Sequence, residues 1–352
     1  MNIILRKEYR KEQRTAITPE NAKRLVENGN RVYVELSDDR IFPIQEYINV
    51  GCKQVLPGFW NTTDLKNTLV VGLKELPDNI TNIKHTMTHF QHCLKGQSSA
   101  EVSLQNIKDG MLYDIEYFTD ESGRRLLSFS HNAGFVGAAL AMLKWISVIK
   151  NVDFNTFYKN SYTQYELAEL IKFGIDLNGK LPKVIIIGAL GKCGRGAMDL
   201  FTRVGLADYV TQWDIEETKI PGPYSEILEH DILINTILLP KEAQPNPFVT
   251  WDSLKENKNL SVIVDVSCDV NSPNNVLPIN NKCTTLQEPF YEVYKGVHFC
   301  SVDNLPSLVP RDASEQFSGT FTDLILEYVN GNSDTWNRCG NVFRDAVNNL
   351  KL

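Results

Sequence analysis

The stretch "KVIIIGALGKCGRGAMDLFTRVG" (residues 183–205) sets an apolar run, a glycine-rich turn and a helical pattern in immediate succession. The four branched aliphatic residues 184–187 read as a strand of a parallel sheet covered on both faces. The glycines at 188, 191, 194 and 196 spell GxxGxxGxG, a variant of the turn that binds dinucleotides. Glycine lets the backbone approach a pyrophosphate closely, and N–H groups at the helix start meet its charge. Gly188, Gly191 and Gly194 are therefore candidate cofactor contacts. Asp214 closes the next strand pattern, "YVTQWD", 20 residues past Gly194. A carboxylate there accepts hydrogen bonds from the adenosine ribose hydroxyls and repels a 2′-phosphate, so NAD is expected rather than NADP.

Outward from this loop the same alternation continues. "DILINTI" and "LSVIVDVS" read as later strands of the unit. In the first 130 residues "NIILRKE", "RVYVEL", "TLVVGLKE", "HTMTHFQH" and "GMLYDIEYF" read as strands. "TPENAKRLVENGN" reads as a helix with a threonine cap, proline in its first turn and a closing glycine. Strands alternating with helices predict an α/β fold with parallel sheets and helices on both faces. Residues 151–180 read as a helix plus a connector. The last forty residues read as two helices that pack back on the N-terminal unit. The expected domains are thus 1–132 plus 310–352, discontinuous and substrate-binding, and 133–309, NAD-binding.

The 352 residues suffice for about two domains with full cores. A net charge of −7, with no basic block, argues against a nucleic-acid partner. Seven cysteines at 52, 93, 193, 268, 283, 300 and 339 form no CxxC pair. That pattern predicts reduced thiols and a cytoplasmic location, with neither a disulfide framework nor a zinc cluster. The N-terminus becomes charged after five residues, unlike a secretory signal. The apolar stretch 133–150 is interrupted by Lys144 and reads as a buried helix, not a membrane span.

If the second unit binds NAD, substrate is expected in a cleft against the first unit, with strand ends contributing. The polar residues at those ends are Lys74 in "LVVGLKELP", His92 and Lys95 in "HFQHCLK", Glu116 in "LYDIE", Arg124 and Arg125 after "DESG", and Arg14 in "EQRTAITPE". A lysine and a histidine facing one cleft make an acid/base pair suited to amine chemistry. Arginines supply forks for substrate carboxylates. Glu75 and Pro77 are expected to shape the turn that fixes Lys74. His85 and His89 read as packing histidines, and the 85/89/92 spacing is a weak metal signal beside that reading.

At this point the chain resembles a known family. "EQRTAITPE", "VVGLKELP", "HFQHCLK", "LYDIEY…GRR", "AGFVGAAL", "IIIGALGKCGRGAMDL", "WDIEET", "VDVSCD" and "SVDNLPSLVPRDASEQFS" are similar to segments of the NAD-dependent, lysine-forming saccharopine dehydrogenases. The likeness runs in order over nearly the whole chain. Some of these segments also resemble alanine dehydrogenase and the related transhydrogenase domain. The resemblance implies two Rossmann-like domains with the active site in the cleft between them. It implies cleavage of saccharopine by NAD and water to L-lysine and 2-oxoglutarate, reversibly and within lysine metabolism. The expected partner is a small-molecule substrate, with no membrane, and both a monomer and a dimer stay open.

By position, the resemblance makes Lys74 the base for the amine proton and His92 the acid/base of imine hydrolysis. Glu116 then tunes the pair. Arg14, Lys95, Arg125, Phe129 and Asp303 line the substrate site. Gly191, Lys192, Cys193, Asp214, Thr218, Val266, Val302, Asp303 and Leu305 contact the cofactor. Fungal members can pair the loop cysteine, here Cys193, with a second cysteine whose position falls on Thr236, so no such disulfide is expected. His131 and Asn132 stand where fungal members tend to be aromatic. Three other readings stay open: an opine-type dehydrogenase with a different amine, an alanine dehydrogenase, and a cofactor-binding sensor without turnover.

Overall fold

A computed structural model describes residues 1–349 except 78, 93–105, 108–109, 158, 177–178, 238, 240–242, 244–245, 269, 271 and 332–333. The chain divides into two compact units, residues 1–128 with 310–352, and residues 129–309. The division falls just ahead of a long helix, so Phe129 belongs to the second unit.

The first unit begins with β1 (Asn2–Leu5), α1 (Pro19–Glu27), β2 (Arg31–Glu35), α2 (Ile44–Asn49), β3 (Lys53–Val55), α3 (Phe59–Thr62), β4 (Thr68–Val71), β5 (Thr86–His89) and β6 (Met111–Asp114). α1 starts as its sequence dictates. The Thr18 side chain accepts from the Asn21 N–H, Pro19 occupies the first turn, and Gly29 leaves with φ 83°. The strands form one parallel sheet in the order β3-β2-β1-β4-β5-β6. The order reverses between β1 and β4, and ligands of open α/β sheets bind beyond the carboxyl ends of strands at such a point. Ile3, Ile4, Leu69, Val70 and Val71 are fully buried, which explains why β1 and β4 read as continuous apolar runs.

The second unit contains α4 (Ser130–Lys150), α5 (Gln164–Asp176), β7 (Val184–Ile187), α6 (Lys192–Arg203), β8 (Val210–Trp213), β9 (Ile232–Asn235), α7 (Trp251–Lys255), β10 (Val262–Asp265), β11 (Tyr291–Tyr294) and β12 (Val297–Cys300). Its sheet runs β11-β12-β10-β9-β7-β8, parallel except for β11, which pairs antiparallel with β12 through a turn at Gly296. α4 is apolar and long enough to cross a membrane, but 78% of its apolar window is buried in the protein. Gly134 and Gly196 explain how tightly it packs on α6. A Cβ at Gly134 would lie 1.8 Å from the Cys193 carbonyl oxygen, and one at Gly196 would lie 1.9 Å from the His131 carbonyl oxygen.

The chain then returns to the first unit as α8 (Pro310–Val329) and α9 (Asp334–Asn349). Buried Ser314 and Ser318 on α8 accept the backbone N–H groups of Thr15 and Thr18, each at 2.9 Å, and so anchor the approach to α1. On α9, fully buried Trp336 stacks edge-on against Tyr113 and Phe118, with both ring-centroid separations 4.8 Å, and donates to the Leu324 carbonyl at 2.7 Å.

Candidate active site and dinucleotide loop

Lys74 follows β4 after Gly72 and Leu73, and its backbone is gripped by side chains from the segment after β1. The Leu73 N–H donates to Glu8 Oε1 at 2.7 Å and the Lys74 N–H donates to Glu8 Oε2 at 2.9 Å. Arg6 pairs with Glu8 at 3.1 Å, donates to the Lys74 carbonyl, and has no exposed side-chain surface. Glu75, the next residue in this turn, pairs at 2.7 Å with Arg10, whose side chain is largely exposed. Pro77 opens the following turn, its carbonyl accepting from the Ile80 N–H at 3.0 Å.

Beyond β5 and β6 a second cluster forms. His92 Nδ1 lies 2.6 Å from Glu116 Oε2, and the other carboxylate oxygen, Oε1, takes Arg125 Nη1 at 3.3 Å. A carboxylate accepts only, so Nδ1 carries the hydrogen and, in the neutral ring, Nε2 is the nitrogen with the open lone pair. Phe90 holds both partners: its ring stacks on His92 at 6.0 Å between centroids, and the Arg125 guanidinium sits 5.6 Å over it. His92 has φ 56°, a left-handed conformation that a non-glycine residue keeps only where its surroundings enforce it. Buried Asp114 supplies part of that enforcement. Its Oδ1 accepts the N–H of Gln91 at 3.3 Å and of Glu116 at 3.1 Å, tying together the two loops that carry the dyad. His89 lies beneath, fully buried and donating through Nε2 to Gln91 at 2.8 Å. Burial first, then the Arg6 charge, pushes its pKa down to about 3, so it is neutral.

Arg14 is buried and its fork is engaged by Glu12, Nε at 2.9 Å and Nη2 at 2.8 Å. Burial opposes ionisation of Glu12, but the charges of Arg14 and Lys74 and the hydrogen bonds from Arg14 outweigh it and lower its pKa. A substrate carboxylate at Arg14 therefore has to share or displace this fork. Arg125 is the more exposed guanidinium, at 39%. Lys95 lies outside the described residues.

In the second unit the loop after β7 takes the geometry a dinucleotide requires. Gly188 has φ 85°, and a Cβ on it would lie 2.7 Å from Thr236 Oγ1. Gly191 caps α6 without a side-chain bond, leaving Lys192 and Cys193 in the first turn. A Cβ at Gly194 would lie 2.2 Å from the Gly188 carbonyl oxygen, so this glycine lets the helix start pack against the turn. Asp214 follows β8 directly. Its Oδ2 accepts the Leu190 N–H at 2.9 Å, coupling the glycine loop to the end of β8. Leu190 and Ile215, 70% and 69% exposed, stand on either side of this contact as uncovered apolar side chains. Thr218 donates its hydroxyl to the Asp214 carbonyl at 2.9 Å. Val302 and Leu305 have buried side chains in the core, Val266 is partly buried, and Asp303 is exposed. Cys193 is a free thiol, and Thr236 donates to the Ile187 carbonyl at 2.8 Å.

Comparison with known proteins places this arrangement. Residues 4–136 match the N-terminal domain and residues 215–351 the C-terminal domain of the alanine dehydrogenase/PNT family. A solved L-alanine dehydrogenase shares the fold, with TM-score 0.66 and 20% identity, covering 94% of this chain and 90% of that one. The NAD(+), L-lysine-forming saccharopine dehydrogenase of Schizosaccharomyces pombe is 37% identical over 96% of both chains. That of Yarrowia lipolytica is 38% identical over 96% of this chain and 94% of its own. The chain belongs to the L-lysine-forming saccharopine dehydrogenase family.

Within a saccharopine dehydrogenase frame, the structure brings His92, Glu116 and Arg125 into one contact network and places Lys74 at the end of a neighbouring strand. Sequence reading passed over Glu8, Arg6, Glu12, Asp114, Leu190 and Ile215. For Glu8 and Glu12 the segment "RKEYRKEQR" reads as a solvated charge run. The usable signal was the position of that run directly after a buried strand.

Proposed function

We propose that the chain oxidises saccharopine with NAD+ and water to L-lysine, 2-oxoglutarate and NADH. The observation that carries this reading is the His92–Glu116–Arg125 network at the same carboxyl edge of the sheet as Lys74. The glycine turn, the uncapped start of α6 and Asp214 fit NAD, which when bound supplies the hydride acceptor. The backbone of Gly188–Lys192 would hold its phosphates and Asp214 its adenosine ribose.

Lys74 takes the proton from the secondary amine as hydride leaves the adjacent carbon, giving an imine. His92, through Nε2, removes a proton from the water that attacks the imine carbon. The same group returns that proton to nitrogen, giving the carbinolamine, and then carries the carbinolamine's hydroxyl proton to nitrogen as it collapses: the C–N bond breaks, lysine departs as the amine and the ketone of 2-oxoglutarate forms. Glu116 holds the imidazole in the Nδ1–H tautomer and stabilises its protonated form. Arg125 binds a carboxylate of the 2-oxo-acid half, with Arg14 as the buried second clamp. Two guanidinium groups suit a dicarboxylate better than pyruvate, which favours this reading over alanine dehydrogenase. Steady-state turnover of saccharopine, of other amino acid/2-oxo acid adducts, and of pyruvate with ammonia tests it. The reading requires the highest kcat/KM on saccharopine, and preference for another adduct contradicts it.

A further inference from the structure

The peptide that carries Lys74 has lost its strand on one side. β1 ends at Leu5, and the last backbone bond from that side is the Arg6 N–H to the Val71 carbonyl, at 2.9 Å. On the other side the pairing persists. The Gly72 N–H donates to the Thr88 carbonyl at 2.9 Å, and the Leu73 carbonyl accepts from the Phe90 N–H at 3.1 Å. Two consecutive N–H groups, those of Leu73 and Lys74, would then lack acceptors, and buried backbone donors must be paired. Glu8 meets both, one carboxylate oxygen to each, in place of the backbone carbonyls that a continuing strand would offer. Arg6 neutralises that carboxylate and closes the loop onto the Lys74 carbonyl.

All four backbone polar groups of Leu73 and Lys74 are therefore bonded, two of them to a single carboxylate. Gly72 is part of the device. A Cβ there would lie 2.3 Å from Arg6 Nε and 2.4 Å from Arg6 Cζ, so only glycine lets the guanidinium pass beneath the turn. A buried ion pair is a poor way to gain stability, because well-packed apolar residues of similar volume often serve as well or better. What it supplies here is a fixed point from which a long, rotatable side chain starts.

We propose that Glu8 and Arg6 are positioning residues for Lys74, setting where its amine meets the substrate. The proposal rests on the reading of Lys74 as the base. A shift of about 1 Å in a reacting group costs up to roughly 10²-fold in rate. Replacing Glu8 by glutamine keeps one acceptor oxygen and sets an NH2 group against the second N–H and against Arg6.

The test is a double-mutant cycle on the full chain: wild type, Glu8→Gln, Lys74→Met and the double variant. Each is assayed with saccharopine and NAD+, with kcat expressed per NADH-binding site. We expect Glu8→Gln to lower kcat about 10- to 100-fold with NADH affinity unchanged. In the Lys74→Met background we expect it to have no further effect, because its whole influence passes through the lysine. An equal loss with and without Lys74 overturns the proposal and leaves the base reading standing. So does a loss only in the fraction of NADH-binding sites, which marks a role in folding alone. Normal turnover by Lys74→Met overturns the base reading itself, and the proposal with it. Should Glu8→Gln fail to fold, Gly72→Ala displaces Arg6 while leaving Glu8 intact. It must show the same dependence on Lys74.

Discussion

Replacing His89 by asparagine should flatten the acid limb of the first unit's stability. His89 is 1% exposed, its Nε2 donates to Gln91 at 2.8 Å, and its Nδ1 has no partner among the described residues. Protonation would place a charge and an unpaired N–H in the interior, and the nearby Arg6 cation adds repulsion. The folded value is about 3 against an ordinary 6.5. Below 6.5 the unfolded chain takes up a proton that the folded chain refuses, so stability falls with falling pH until the folded value is reached. The loss is about 1.4 kcal/mol per pH unit, hence roughly 2 kcal/mol at pH 5. For a unit of this size that is a drop in Tm of about 4–8 °C between pH 7 and pH 5. Differential scanning calorimetry of wild type and His89→Asn at pH 7, 6 and 5 isolates it. The variant is expected to be less stable at pH 7 but to lose less on acidification, by about the stated amount. Parallel curves for the two proteins would refute the argument.

Three further outcomes follow from the site. Glu116→Gln removes the acceptor charge that holds the His92 Nδ1–H at 2.6 Å; kcat should fall roughly 10²-fold with little change in NADH affinity. An unaltered kcat would separate Glu116 from the chemistry. Arg125→Ala should raise KM for 2-oxoglutarate in the reverse reaction far more than KM for NADH, by roughly 10-fold or more for a lost charged hydrogen bond. Equal effects on both would contradict carboxylate binding there. Asp214→Ser removes a carboxylate that repels a 2′-phosphate, so the ratio of kcat/KM for NAD+ over NADP+ should fall at least about 10-fold. A constant ratio would place the cofactor choice elsewhere.

Much of the fold was legible because parallel strands buried on both faces leave apolar runs: "VIII", "TLVV" and "ILIN" each announce a strand. α1 was legible from its threonine, proline and glycine. β3 was not, because "KQV" is short and none of its residues is buried, and the β11–β12 hairpin carries partly exposed tyrosines on its edge strand. In the site, the candidates at strand ends could be named from sequence because a parallel sheet gathers its carboxyl ends at one edge. Which groups hold them could not. Glu8 lies 66 residues before Lys74, and whether a glutamate in a charged run turns inward depends on tertiary packing. Gly194 shows the same limit: its spacing fits a phosphate loop, but that its missing side chain also makes room for the Gly188 carbonyl shows only in the fold.

Turnover of saccharopine with NAD+ by wild type and by Lys74→Met, following lysine, 2-oxoglutarate and NADH together, tests the base most directly. The wild type should yield the three products in equal amounts, and Lys74→Met should be slower by roughly 10²–10⁴-fold. No NADH from saccharopine, or an undiminished rate in the variant, would contradict this reading.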